Sequence, residues 1–318
     1  MTVRWGFLGA GLISTKALAP AVHAASGAVL HAAAARDPAR AAALGPERVL
    51  PSYDELVADP DVDAVYIALS NEAHLPWTLA ALEAGKHVIC EKPLGLTAAE
   101  VDEMAAAAGD LLLVEASWYR WHPRVRLAQA RLGEIGPVRH VSAGFTFAAD
   151  MTGNYRLDPA RGGGALYDVG HYAVSAALWA VDRGLPTDVA ARARWSDSGV
   201  DLMTEAVLDW DGASAQVSCA TDEDRGQWLV ITGDHGEIEL RGSSFAAWKD
   251  DATELWVSDG KGTERVPVPA VDAYQLMVEE VSSVISGGPG WVLPLETTRE
   301  TAAALDLVRA ASARDRAT

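Results

Sequence analysis

The amino terminus sets the strongest constraint on the fold. An apolar run from Val3 to Leu8 leads into Gly9-Ala10-Gly11-Leu12-Ile13-Ser14, and a helix-forming stretch continues to about Ala25. Strand, tight glycine turn and helix start in succession make a phosphate cradle, because the first helical N–H groups and the helix dipole point at one place. Ser14 stands where the usual fingerprint has a third glycine, and its small side chain still lets helix pack on strand. The spacing alone also fits an ordinary tight turn between strand and helix. The context favours the cradle, since Val29 to Ala35 reads as a second strand about twenty residues beyond the glycines, as a βαβ unit requires. Val62 to Leu69, Val88 to Cys90 and Leu111 to Val114 read as further strands, with a helix from Pro76 to Ala84. Thr97 to Glu100 reads as a capping box that opens an alanine-rich helix. Recurring βα units predict a doubly wound parallel sheet over residues 1–118.

Three rim segments of this sheet carry candidate binding residues. The second strand ends in Arg36-Asp37. An Arg there suits a ribose 2′-phosphate, so Arg36, helped by Arg40, tilts the choice toward NADP, while Asp37 keeps NAD open; both are otherwise solvated turn residues. The third strand ends in Ser70-Asn71-Glu72-Ala73-His74, where Asn71 and His74 contact ribose or nicotinamide or else form the cap and first turn of the next helix. The stretch Gly85 to Leu94 brings Glu91 and Lys92 to the carboxyl end of a buried strand, where open α/β sheets bind ligands, and Pro93 stops the ladder. A lysine at that rim is a proton-transfer group where neighbours lower its pKa, and a surface charge otherwise.

After residue 118 the pattern changes. Val138 to Ala148, Val189 to Trp195, Met203 to Trp210, Ala213 to Ala220, Trp228 to Thr232 and Glu237 to Leu240 read as strands, with a hairpin signal at Asp211-Gly212 and a join at Gly233 to Gly236. Adjacent strands without intervening helices imply an antiparallel or mixed sheet, so residues 119–318 form an α+β domain. A length of 318 residues fits two domains. Within the second, Arg161-Gly162-Gly163-Gly164-Ala165-Leu166-Tyr167-Asp168-Val169-Gly170-His171-Tyr172 runs from a glycine bend into a helix reaching about Val181. Asp168 and Tyr172 share a face of that helix, with His171 close to it. Acid, imidazole and phenol together make an acid/base site, or alternatively a polar interdomain contact.

A net charge of -18 argues against nucleic-acid and anionic-membrane partners, which need clustered Lys and Arg. Cys90 and Cys219 show no metal spacing and sit in apolar strand contexts, which points to a reduced, cytoplasmic setting. The amino terminus has no basic leader or signal-type core, and no apolar run reaches a membrane span.

These residues together resemble the glucose-fructose oxidoreductase, inositol dehydrogenase and rhizopine-catabolism (Gfo/Idh/MocA) family. The resemblance spans nearly the whole chain: Gly9-Ala10-Gly11, the Asn71 to His74 segment, Ala84-Gly85-Lys86-His87-Val88 running into Glu91-Lys92-Pro93, and Gly162 to Tyr172. Many members carry a histidine four residues after the aspartate; here that position is Tyr172, and His171 falls one residue early. The Tyr form, with Glu115-Ala116 and Tyr119-Arg120-Trp121-His122-Pro123, is similar to a subgroup holding dimeric dihydrodiol dehydrogenase, NADP-dependent xylose dehydrogenases and glucose-fructose oxidoreductase. The resemblance implies a Rossmann domain that binds NADP or NAD through Gly9, Gly11, Leu12, Ile13, Arg36, Asn71, His74, Glu91 and Lys92. It also implies substrate on one face of a large open sheet, and homodimers or higher assemblies through the other.

The expected reaction is oxidation of a sugar hydroxyl, in the simplest case the anomeric hydroxyl of an aldopyranose, to a lactone with hydride passing to NADP. In that scheme Tyr172 exchanges the hydroxyl proton, Lys92 lowers the phenol's pKa or is itself the base, and Asp168 orients the substrate or Lys92. The glycines admit the sugar, and Trp118, Arg156 and His171 are candidate substrate contacts. The same residues serve a keto-sugar or nucleotide-sugar ketoreductase, or a trans-dihydrodiol dehydrogenase. Retention of Lys92, Asp168 and Tyr172 argues against a non-enzymatic NADP sensor, and no His/Asp/Glu cluster has metal-ligand spacing.

Overall fold

The computed structural model describes residues 1–316, and the chain divides into two compact units. The first comprises Met1–Gly95, Ala99–Trp121 and Asp272–Thr298. Its sheet contains β1 (Val3–Leu8), β2 (Ala28–Ala34), β3 (Arg48–Val49), β4 (Ala64–Ile67), β5 (His87–Cys90) and β6 (Leu113–Glu115), in the order β3-β2-β1-β4-β5-β6. Every neighbouring pair is parallel. The strand order reverses between β1 and β4, and in such sheets the crevice at that switch point receives the ligand. All four residues of β4 are buried, as expected of a parallel strand covered on both faces, where the sequence shows a continuous apolar run and no alternation. The helix Ala273–Ile285, which follows the second sheet in the chain, returns to this unit, and the buried Trp5 on β1 donates its indole N–H to Ser282 Oγ at 3.1 Å.

The second unit comprises Leu96–Ala98, His122–Val271 and the chain from Arg299 on. Its sheet contains β7 (Val138–Ala148), β8 (Asp188–Trp195), β9 (Asp201–Trp210), β10 (Ala213–Ala220), β11 (Asp222–Gly233), β12 (Glu237–Arg241), β13 (Thr253–Ser258) and β14 (Thr263–Val268). The order is β14-β13-β12-β11-β7-β10-β9-β8. All neighbours are antiparallel except β7 and β10, so the sheet is mixed. Asp211-Gly212 makes the β9–β10 hairpin, with Trp210 opposite Ala213 and Gly212 at φ +74°. The strands β13 and β14 go beyond the sequence reading, although the alternating burial of β13 is the period-two pattern of a strand with one covered face. The helix His171–Val181, every residue of which is buried, packs on β7 and β10. Among the described residues, no helix is long and apolar enough to cross a membrane.

The helix Pro123–Arg131 begins with a pH-sensitive cap. His122 Nδ1 accepts the backbone N–H of Arg124 at 3.1 Å, which requires that nitrogen to be unprotonated. Burial, reinforced by the Arg124 charge, holds the His122 imidazole down at about 4. A depressed pKa favours the neutral form in the folded state, so the unfolded chain binds more protons as pH falls below about 6.5. The stability that His122 contributes is therefore present above pH 6.5 and is lost on descending toward its folded value of about 4. We predict that His122→Asn flattens this part of the stability profile by up to about 3 kcal/mol, measured by urea denaturation between pH 7 and pH 4.

Candidate active site

In the first unit the glycine turn closes the carboxyl end of β1 against β4. Gly9 has φ +96°, and a Cβ there would lie 2.4 Å from the carbonyl oxygen of Ala68, so only glycine fits. Gly11 is different: its nearest neighbour would be that same oxygen at 4.0 Å, which leaves the space over the turn open. Ser14 is buried and donates its hydroxyl to Gly9 O at 3.1 Å, so the residue in the third-glycine position ties the turn shut. It opens a π-turn, Ser14–Leu18, that continues into the helix Ala19–Ala24. Leu12 is 64% exposed and Ile13 half-buried at the start of this helix, whose first-turn N–H groups have no partner within the helix.

At the end of β2, Asp37 is the amino-terminal cap of Pro38–Ala42, its carboxylate accepting Ala39 N–H at 2.9 Å. Arg36 is exposed and makes no ion pair among the described residues, while Arg40 donates to Ala10 O of the glycine turn at 2.5 Å. An exposed guanidinium without an acid, beside an open glycine turn, suits a phosphate; Asp37, engaged in its cap, is less suited to a ribose hydroxyl.

At the β4 rim the cap reading for Asn71 is corrected. Ser70 flanks a single 3-10 turn, Asn71–Ala73, with no side-chain cap, and the α-helix begins at His74. Asn71 is buried as the turn's first residue. His74 is fully buried, with Nδ1 2.8 Å from Pro93 O and Nε2 3.3 Å from Leu69 O. Burial pushes its pKa down, and the shorter of its two carbonyl contacts is the one to Pro93. His74 thus pins the turn that carries Lys92. Glu91 accepts the Tyr66 hydroxyl at 2.6 Å, and burial raises the pKa of both groups. Lys92 is half-buried and precedes a cis peptide bond to Pro93. Downstream, Leu94 N–H donates to Glu115 Oε1 at 3.0 Å, and Ser117 Oγ donates to Glu115 Oε2 at 2.9 Å. Trp118 is 3% exposed and stacks on Tyr274, with ring centroids 4.3 Å apart, so the indole has packing as its evident role.

In the second unit the glycines serve the fold directly, which corrects the expectation that they make room for sugar. A Cβ on Gly163 would lie 2.4 Å from Arg156 O, and one on Gly164, at φ +122°, would lie 2.1 Å from Asp201 Oδ1. These residues admit the chain's own backbone and a buried carboxylate. Asp201 accepts Leu166 N–H and the Thr204 hydroxyl, each at 2.8 Å, and burial raises its pKa. It thereby anchors the start of a second π-turn, Leu166–Gly170, which runs into His171–Val181. The two π-turns among the described residues fall on the two motif helices, and such turns are frequent at functional sites.

Asp168 pairs with Arg156 at 2.7 Å, and the Arg156 guanidinium also lies 4.9 Å above the Tyr155 ring. Tyr172 is 5% exposed, caged by Phe145, Phe245 and His171 at centroid distances of 5.4, 5.8 and 6.0 Å. His171 is 1% exposed and meets the Tyr172 ring edge-on. Phe145, Phe245, Asp201 and Glu115 are the site-supporting residues that sequence reasoning did not assign, since each acts across a long sequence separation. The structure also gathers His31, Asp59 and Asp61 within 4.8 Å, without any sequence spacing to announce them. Arg48 already pairs with Asp59 at 2.8 Å and Arg4 with Asp61 at 2.6 Å, so the group reads as an ion-pair network. The glycine geometry predicts that Gly164→Ala, through overlap with Asp201 and a left-handed φ, costs about 2–4 kcal/mol in urea denaturation.

Comparison with known proteins agrees with this fold. A family model described as "Oxidoreductase family, NAD-binding Rossmann fold" matches residues 3–113, and the GFO/IDH/MocA C-terminal domain matches residues 125–239. D-xylose 1-dehydrogenase (NADP(+)) 2 of Haloferax volcanii is 38% identical over 304 residues, 89% of each chain. Trans-1,2-dihydrobenzene-1,2-diol dehydrogenase of Bos taurus is 34% identical over 256 residues, 76% of this chain and 74% of that one. Among solved structures, a 3-ketoreductase from Actinomadura kijaniata in complex with NADP and TDP-benzene aligns with a TM-score of 0.89 at 27% identity, covering 98% of both chains. The chain belongs to the GFO/IDH/MocA family and is an NAD(P)-dependent oxidoreductase.

Proposed function

We propose that this protein is an NADP-dependent sugar dehydrogenase that oxidises the anomeric hydroxyl of an aldopyranose to the lactone. The observation that carries the reading is the 38% identity with the D-xylose 1-dehydrogenase (NADP(+)) over 89% of both chains. It is supported by an exposed Arg36 beside an open Gly11. Bound NADP would supply the acceptor for the hydride leaving the substrate carbon. Gly9, Gly11, Leu12 and Ile13 seat the pyrophosphate over the first helical turn, and Arg36 with Arg40 receives the 2′-phosphate. Asn71, Glu91 and Lys92 line the rim in this assignment, while His74 acts from beneath by holding Pro93. Tyr172 takes the hydroxyl proton as its phenolate, and Lys92 supplies the positive charge that favours that form. Asp168, tied to Arg156, orients the sugar. The alignment with the 3-ketoreductase keeps the reverse direction, reduction of a keto sugar by the same groups, as the second reading.

The free, buried state of Cys90 and Cys219 supports the cytoplasmic assignment. Homodimerisation through the exposed face of the second sheet is part of the proposal. Trp228, packed flat on Gly144, and Val207, 41% exposed, supply apolar area on that face, beside the Arg192–Glu205 pair. Sedimentation should give twice the chain mass, and Val207→Glu should halve it.

Purified protein with NADP and a panel of aldoses led by xylose and glucose should show nicotinamide reduction at 340 nm. Lys92→Met and Tyr172→Phe should each lower kcat at least about 100-fold. Arg36→Ala should weaken NADP about tenfold or more and leave NAD unchanged. Turnover of Lys92→Met within a few-fold of wild type would refute the assignment of Lys92.

A further inference from the structure

One wall of the Tyr172 cage comes from a segment with no regular structure. Phe245 lies between β12 and β13, is 2% exposed, and stacks on Phe145 at 6.4 Å and 11°. Irregular backbone stays in one place only where its polar groups are satisfied, and here side chains supply the partners. Gln227 Oε1, on β11, accepts the N–H groups of both Phe245 and Ala246, at 2.9 and 2.8 Å. The Arg124 guanidinium, on a residue 1% exposed, donates to Arg241 O at 2.9 Å and to Ser243 O. Ser244 Oγ donates to Leu240 O at 2.5 Å.

Arg124 has no carboxylate partner among the described residues, and burial lowers its pKa to about 10. Keeping a guanidinium buried with carbonyl partners alone is costly, and its visible return is the placement of residues 241–243. Gln227 is committed to the next residues along, and together the two hold the segment from both sides of Ser244. The only large apolar side chain inside that stretch is Phe245.

We propose that Arg124 and Gln227 are positioning residues for Tyr172: they fix the 241–246 segment so that Phe245 closes the phenol's cage and confines its ring to one orientation. The inference rests on the reading of Tyr172 as the proton-exchanging group. A confined ring keeps the phenol oxygen aligned with the hydroxyl it must deprotonate, and misplacement of such a group falls on kcat more than on binding.

The test uses Gln227→Leu, which removes the acceptor at similar size, Gln227→Glu, which keeps it, and Phe245→Ala, which removes the wall. Gln227→Leu and Phe245→Ala should each lower kcat about tenfold, with KM for sugar and the NADPH dissociation constant within about twofold. Gln227→Glu should restore most of the rate. The double variant should be no slower than the worse single one, because Gln227 acts through Phe245. Hydrogen exchange over residues 241–247 should quicken in Gln227→Leu. Unchanged kcat in Gln227→Leu despite faster exchange, or additive losses in the double variant, would overturn the proposal. Full turnover by Tyr172→Phe would instead overturn the role of Tyr172. The two failures are distinguishable, because exchange reports the clamp without reference to turnover.

Discussion

Two buried carboxylates hold the two motif loops of this protein, and they do so in the same way. Glu115 takes the backbone N–H of Leu94 and the hydroxyl of Ser117; Asp201 takes the backbone N–H of Leu166 and the hydroxyl of Thr204. Each loop leaves a regular element and cannot satisfy its own N–H groups by continuing a ladder or helix. A carboxylate that accepts both a backbone N–H and a neighbouring hydroxyl compensates its burial and fixes the loop's register. The Lys92 turn is thereby held on one side by Glu115 and on the other by His74, and the Tyr172 helix starts from Asp201.

The same economy governs the glycines. Gly9 and Gly164 are required because an oxygen of the protein itself occupies the space of a Cβ: the Ala68 carbonyl in one case and the Asp201 carboxylate in the other. Of the two glycines in the amino-terminal turn, Gly9 is hemmed in by the protein itself while Gly11 faces open space, as expected of the position at which a ligand approaches the backbone. A glycine-rich motif thus mixes residues that shape the loop with residues that receive the ligand. Only the neighbours distinguish them.

Much of the fold was legible because it rests on local pattern. The apolar runs ending in charged or small residues marked β1, β2, β4 and β5, and the period-two stretches with Asp211-Gly212 marked β7, β9 and β10, in several cases to the residue. The Glu91-Lys92-Pro93 and Gly162 to Tyr172 motifs were equally plain, since their glycines and proline have backbone consequences that composition alone reveals. The strands β13 and β14 lie beyond the sequence reading although Asp259-Gly260 joins them with the same dipeptide as Asp211-Gly212, because Pro267 and the charged Glu254, Glu264 and Arg265 mask the strand pattern on either side.

The sequence by itself determined the class of this protein: a dinucleotide-binding sheet followed by a mixed sheet, with a lysine at one rim and a tyrosine on a glycine-led helix. Those features follow from hydrophobic periodicity and from residues whose chemistry restricts the backbone, both of which act between near neighbours. Tertiary structure decided which polar residues are available. His74 is engaged by Pro93, Asp37 by a helix cap and Trp118 by Tyr274, and Asp168 is held in place by Arg156, whereas Arg36 has no acid partner among the described residues. Whether a side chain meets a ligand or a carbonyl depends on contacts between residues far apart in the chain, and no local pattern encodes them.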